Sequence, residues 1–144
     1  MCTVSVIPTL GGFRLACNRD ELRTRPAALQ PRLIRFGDRL AVLPLDSAGD
    51  GTWVAANDAG LAFALLNLNE SSLLSPGRAS RGLVVPALLR WDGLEEATAE
   101  ALKLRLKDFS PFRLVMIDAT GCAVVRWDGA RRDLGLWPLM RPLS

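Results

Sequence analysis

The chain has 144 residues, 49% of them hydrophobic and 23% charged, with a formal net charge of +3. That length and composition support one folded domain with a real core and argue against disorder. Lys103 and Lys107 are the only lysines and the arginines form no run, so the mild basicity does not mark a nucleic-acid surface.

In chain order, Cys2, Val4 and Val6 alternate with Thr3, Ser5 and Ile7, which predicts a strand. Residues 8–12 read as a break and 13–17 as the returning strand of a hairpin. Residues 23–31, with Pro26 and Pro31, read as a loop; a strand at 40–43 is ended by Pro44. Strands at 52–56 and 61–67 pair through a turn at 57–60. The polar stretch 71–80 is a loop, and 81–90 a helix kinked by Pro86. A clearer helix follows: Asp92 and Glu95 have capping-box spacing, and Leu94, Ala97, Ala101 and Leu104 recur on one face, ending near Asp108. Strands at 112–117 and 122–127 surround a turn at 119–121. Asp128-Gly129 then signals a hairpin into a short final strand. The pattern is a mostly antiparallel α+β fold in a single domain. Trp53, Trp91, Trp127 and Trp137 read as core anchors, and Cys17 and Cys122 as buried packing residues.

The opening residues lack the basic and apolar regions of a secretory signal, and no apolar stretch approaches the roughly 18 residues of a membrane span. A soluble, cytoplasmic protein with reduced thiols is expected. Cys2, Cys17 and Cys122 are an odd set without C-x-x-C spacing, so neither a disulfide framework nor a metal site is indicated.

The absence of histidine removes Ser-His-Asp and Cys-His chemistry. Carboxylates titrate near about 4 and lysine near about 10.4, whereas an α-amine titrates near about 7.7–8.0 and is the one base poised unaided at neutral pH. Cys2 is small enough for the initiator methionine to be removed, which would put a thiol nucleophile and an amine base on one residue. If the first two strands turn near Leu10, Cys2 lies opposite Asn18 or Arg19, and the polar quartet Asn18-Arg19-Asp20-Glu21 flanks the N-terminus. A guanidinium beside a thiol favours the thiolate, and a carboxylate can hold an ammonium.

The segments MCTVSVIP, GFRLACNRDE and GTWVAANDAGLAFALLN together resemble the NRDE family, which includes the transport and Golgi organisation proteins and is named after the quartet at 18–21. The likeness is specific over roughly the first half of the chain and thinner beyond SRGLVVPALL. It implies an N-terminal-nucleophile hydrolase fold, a four-layer αββα sandwich with the first residue after methionine in the cleft. A weaker likeness is to the choloylglycine hydrolase and penicillin V acylase group, amidases that also begin Met-Cys. Carried over residue by residue, it makes Cys2 the nucleophile, Asp20 the residue orienting the amine, and Asn67 or Asn57 the oxyanion donor. Arg19 would tune the thiol, with Asn18 and Glu21 beside the substrate. Those amidases carry an arginine just before the Asn-x-Asp, where this chain has Cys17; its own arginine comes later, at Arg19. Members of that family run longer than this chain, so a strand or helix layer is expected to be missing at its C-terminal side.

The implied activity is hydrolysis of a non-peptide C–N amide bond in a small N-acyl amide, with no cofactor required. Plainer readings stand beside it. Cys2 shares the parity of Val4 and Val6 and fits a small buried hydrophobe. Arg19, Asp20 and Glu21 fit an exposed ion-pair cluster, and Asn57 fits turn chemistry. A second function class is a non-catalytic carrier or trafficking protein for haem or a lipid-like ligand, in which a cysteine thiolate serves as an axial ligand. A third is an accessory piece that binds a protein partner, and an open sheet edge would favour pairing with a second copy.

Overall fold

Alternation along the first 18 residues closes into the predicted hairpin. In the computed structural model, which describes residues 2–68 and 78–139, β1 (Thr3–Thr9) pairs antiparallel with β2 (Gly12–Asn18), Thr3 facing Asn18 and Thr9 facing Gly12. Cys2 and Arg19 each leave the hairpin one residue beyond its last pair. Gly11 takes the turn at φ +81°, a conformation that costs glycine nothing. Pro8 does not break the strand as expected, because a two-stranded ribbon leaves one side of each strand without ladder bonds.

The other strands form one antiparallel meander: β3 (Leu29–Phe36), β4 (Arg39–Leu45), β5 (Val54–Asn57), β6 (Ala62–Asn67), β7 (Phe112–Ile117), β8 (Gly121–Trp127) and β9 (Arg132–Pro138), side by side in that order. β3 corrects the sequence reading, which continued the loop to residue 31 and placed no strand between the hairpin and residue 40. This edge strand carries Pro31 where its register shifts between Leu29 and Arg32, and a bulge in an edge strand tolerates proline. β4 likewise runs through Pro44, which lies past its short ladder to β5 at Ala41 and Val42.

The helical parts are smaller than predicted. The expected kinked helix at 81–90 is two single 3-10 turns, Arg81–Leu83 and Pro86–Leu88, since Pro86 supplies no N–H to continue the first. α1 spans Leu94–Ala101 and stops well short of Asp108. Beyond it the bonds tighten to the i−3 pattern at Lys103 and Leu104, and a 3-10 turn follows at Leu106–Asp108. The capping box gives way to a tertiary cap. Gly93 is the N-cap, and Asp118, from the β7–β8 turn, accepts the Leu94 N–H at 2.8 Å. Of the predicted loop at 71–80, most lies outside the described residues.

Pairing across the meander fixes which side chains share a face. Ala55, Phe63, Met116 and Ala123 form one row, Leu65, Leu114 and Val125 the next. This face packs with Val84, Val85, Leu88, Leu89, Ala97 and Ala101 into the main core. The opposite face presents Val42, Val54, Ala56 and Ala62, and the β1–β2 hairpin lies over it. Phe13 and Leu15 from the hairpin and these sheet residues line an apolar cavity of about 620 Å³. The layers are therefore helical segments, a seven-stranded sheet and a two-stranded hairpin. The antiparallel character is as expected, but strand dominates over helix, and no helix covers the outer side of the hairpin among the described residues. Trp127 is the buried tryptophan; Trp137 on the β9 edge is 55% exposed, contrary to its expected anchoring role. No helix among the described residues is long and apolar enough to cross a membrane.

One close approach supports the polar end of the sheet. A Cβ on Gly51 would sit 2.4 Å from the Gly82 backbone, where Gly82 O accepts the Thr52 N–H at 3.0 Å. Gly51→Ala is expected to lower stability by about 2–4 kcal/mol in urea unfolding, since backbone has to move rather than a side-chain tip.

Candidate functional site

Where β2 ends, β5 begins and β6 ends, the chain leaves a polar cleft of about 120 Å³, lined among others by Cys2, Asn18, Arg19, Glu21, Asn67 and Arg81. Five of the seven residues singled out in the sequence thus meet in one place. Asp20 stands beside them: its side chain accepts from Asn18 Nδ2 at 3.0 Å, and its carbonyl accepts from the Cys2 thiol at 4.0 Å. Cys2 itself is half-buried.

Asn57 is elsewhere. It is buried beneath the helical layer, where Nδ2 donates to the carbonyls of Leu89 at 3.1 Å and Trp91 at 2.8 Å. Its Oδ1 accepts the Ala59 and Leu61 N–H groups, both at 3.1 Å. That is turn chemistry plus a clamp on the helical layer, and it leaves no donor to point at a substrate.

The quartet is held by a carboxylate that the sequence reading did not single out. Asp46 Oδ2 accepts from Arg19 at 2.7 Å and from Arg25 at 2.6 Å, while Oδ1 accepts the Ala48 N–H at 3.1 Å. Glu21 completes the network, 3.0 Å from Arg19 and 3.9 Å from Arg25. The Arg19 guanidinium also lies 4.1 Å from the centroid of the Trp53 ring, within cation–π range. Trp53 is thus part of the cleft wall. Burial pushes the Asp46 carboxyl up; the Arg25 bond, the Ala48 amide and the charges of both arginines outweigh it, and the group titrates below the ordinary carboxylate range.

Two further groups face Cys2. Cys17, half-buried on β2, has its thiol pushed up by burial and by the nearness of Cys2, with Arg19 opposing. Arg81 donates to the Pro111 carbonyl at 2.9 Å and makes no ion pair among the described residues. Burial draws its guanidinium below the usual arginine value; Glu21 raises it, Arg25 lowers it and Cys2 raises it. The sequence reading placed Arg81 only as a helix start. An arginine at the head of the apolar run LVVPALL was the available signal.

A hairpin laid over an antiparallel sheet, with the cysteine at the second position lining a guanidinium-rich cleft, defines the class as a β-rich protein of mostly antiparallel sheet. The sequence model of the Transport and Golgi organisation 2 family matches residues 7–136, and the chain belongs to that family. The matched span takes in the quartet, Asn57, Asn67 and Arg81 and begins after Cys2. No curated protein matches the chain.

The Asp46 network sets an acid limit. A folded-state value below the unfolded one, about 3.9, means its stabilisation is fully present above that pH and is lost as pH falls through the folded value. Thermal melts should therefore show an acid-side fall in Tm beginning near pH 4 that is smaller in Asp46→Asn, the variant being already less stable at neutral pH.

Proposed function

We propose that this protein is an N-terminal-cysteine hydrolase acting on a non-peptide C–N amide bond. The observation that carries the reading is the placement of Cys2 in one cleft with Asn18, Arg19 and Asn67, beside Asp20. The layer order of helical segments, broad sheet and hairpin supports it too, as three of the four layers of an αββα sandwich.

After removal of the initiator methionine, the α-amine of Cys2 takes the thiol proton, directly or through water. The sulfur attacks the amide carbon, forming the C–S bond while the carbonyl electrons move onto oxygen. Asn67 Nδ2 and backbone N–H groups hold that oxyanion; Asn67 is exposed at the end of β6 and its side chain has no hydrogen-bond partner among the described residues. Collapse breaks the C–N bond, and the leaving amine takes the proton from the ammonium. Water then releases the acyl group from sulfur and restores the thiol. Arg19, fixed by Asp46 and Glu21 and stacked on Trp53, contributes a positive potential. Asp20 orients the amine.

A carrier for a lipid-like ligand is favoured by one observation, the apolar cavity between hairpin and sheet. Haem fits poorly in either place. The cleft with the cysteines is smaller than a porphyrin, and the apolar cavity has room but no axial donor side chain in its lining.

Turnover of a panel of N-acyl amides should vanish in Cys2→Ala and persist in Cys122→Ala; undiminished turnover in Cys2→Ala would rule out Cys2 as the nucleophile, and no turnover in the wild type would leave the carrier reading. The two asparagines separate rate from stability. Asn67→Ala is expected to lower kcat by about 10²–10³-fold, as loss of an oxyanion donor does, with the melting temperature nearly unchanged. Asn57→Ala should instead lower stability by about 3 kcal/mol, because it strands buried backbone groups.

A further inference from the structure

Among the cleft's side chains, three guanidiniums, Arg19, Arg25 and Arg81, face two carboxylates, Glu21 and Asp46. Arg19 and Arg25 are both committed to those carboxylates at 2.6–3.9 Å. Of these three, Arg81 is the cation with no carboxylate partner among the described residues. It is half-buried, so water cannot fully compensate its charge, and its single side-chain hydrogen bond among the described residues, to the Pro111 carbonyl, uses one N–H of a planar fork. Cys2 and Arg81 line the same small space, together with Asn67.

We infer that Arg81 forms an anion subsite beside Cys2 that takes a single carboxylate group of the ligand. This rests on the hydrolase reading for its consequence, which is that the substrate is an amide bearing a carboxylate near the scissile bond. The carboxylate is preferred over a phosphate on two grounds. One surplus charge matches a monoanion, and a cleft of about 120 Å³ leaves little room for a tetrahedral dianion next to the reacting carbonyl. The guanidinium fork can meet a planar carboxylate through two parallel N–H···O bonds. Ser80 closes the turn that presents Arg81, its hydroxyl accepting the Gly82 N–H at 3.3 Å.

Iodoacetate and iodoacetamide provide a matched pair of probes, with the same leaving group and differing in one carboxylate. Alkylation of Cys2 is followed by peptide mass mapping in the full-length protein, and the rate ratio of the two reagents is compared with that of free N-acetylcysteine. The wild-type ratio should exceed the free-thiol ratio, and Arg81→Gln should bring it down by about tenfold or more, the loss expected for a charge-assisted hydrogen-bonded pair. The iodoacetamide rate in the same variant reads the general loss of positive charge beside the thiol, and the ratio cancels that effect. A wild-type ratio equal to that of the free thiol, or a ratio unmoved in Arg81→Gln, overturns the subsite.

A second measurement does not need Cys2 to react or the variant to fold. In wild-type protein at constant ionic strength, the Arg81 Nε–H resonance should shift saturably with sodium acetate and stay fixed with acetamide. No saturable shift, or a stronger response to inorganic phosphate than to acetate, overturns the carboxylate assignment. Inert Cys2 with a saturable acetate shift removes the hydrolase reading and leaves the subsite standing.

Discussion

The Asp46 carboxylate is the tie on which the polar end of this molecule depends. One of its oxygens accepts two guanidiniums, from Arg19 at the end of β2 and from Arg25 in the following loop, while the other accepts an amide of its own turn. A buried carboxylate with one partner removed is strongly destabilising, because the charge stays desolvated. Here the network gives each charge an opposite one. Three segments with no shared ladder are thereby held together: the exit of the hairpin, the loop through residue 25 and the turn between β4 and β5. Trp53 supports the same point from the sheet side, its ring beneath Arg19. Without that tie the hairpin would be anchored over the sheet chiefly by apolar contact, which has little directional preference.

Fixing the hairpin in this way produces a space with two ends. Val4, Val6 and Pro8 pair with Cys17, Leu15 and Phe13, so these residues share the face turned to the sheet. Cys17 lines the polar cleft, whereas Leu15 and Phe13 line the apolar cavity. At about 3.3 Å per residue, the four-residue step from Cys17 to Phe13 spans roughly 13 Å of one strand. Reactive and charged groups are gathered at one end and none at the other. A hydrolase with an extended acyl group and a carrier of an amphipathic molecule would both draw on this gradient, and the difference between them lies in the state of Cys2.

What was legible in the sequence follows the range of the forces involved. Period-two alternation for β1 and apolar runs bounded by turn residues for β2, β5, β6, β7 and β8 placed these strands nearly at their observed limits, and the hairpin register came out as one of the two expected, because these signals are local. The missed β3 shows the limit of that signal. Arg32 and Arg35 interrupt Leu33, Ile34 and Phe36 without strict alternation after an early proline, and an edge position with a bulge accommodates such a segment as a strand. α1 was overextended because Leu102 and Leu104 continue the apolar pattern, while the Arg132 guanidinium binds the Leu102 carbonyl just past the helix. Asp46 and Arg81 were beyond reach for a related reason. Their partners are 27 and 30 residues away in the chain; nothing local distinguishes Asp46 from a solvated surface charge, and the apolar run after Arg81 signals burial but no partner.

The two asparagines at the ends of the β5–β6 hairpin give the criterion that separates scaffold from site. Both were candidates on the same resemblance, and both lie on the face that carries the helical layer, Asn57 paired with Ala41 and Asn67 with Phe112. Asn57 is covered by the 3-10 turns, and burial obliges every polar atom to find a partner; its amide nitrogen and oxygen each make two bonds within the protein. Asn67 stands one step past the covered core, where water can satisfy it in the free protein and a ligand can replace that water. Arg81 is poised in the same way, with most of its fork unspent while Arg19 and Arg25 are consumed by carboxylates. Among the described side chains of this cleft, Asn67 and Arg81 therefore keep hydrogen-bonding groups that the fold has not already used, beside the Cys2 thiol and its contact with the Asp20 carbonyl.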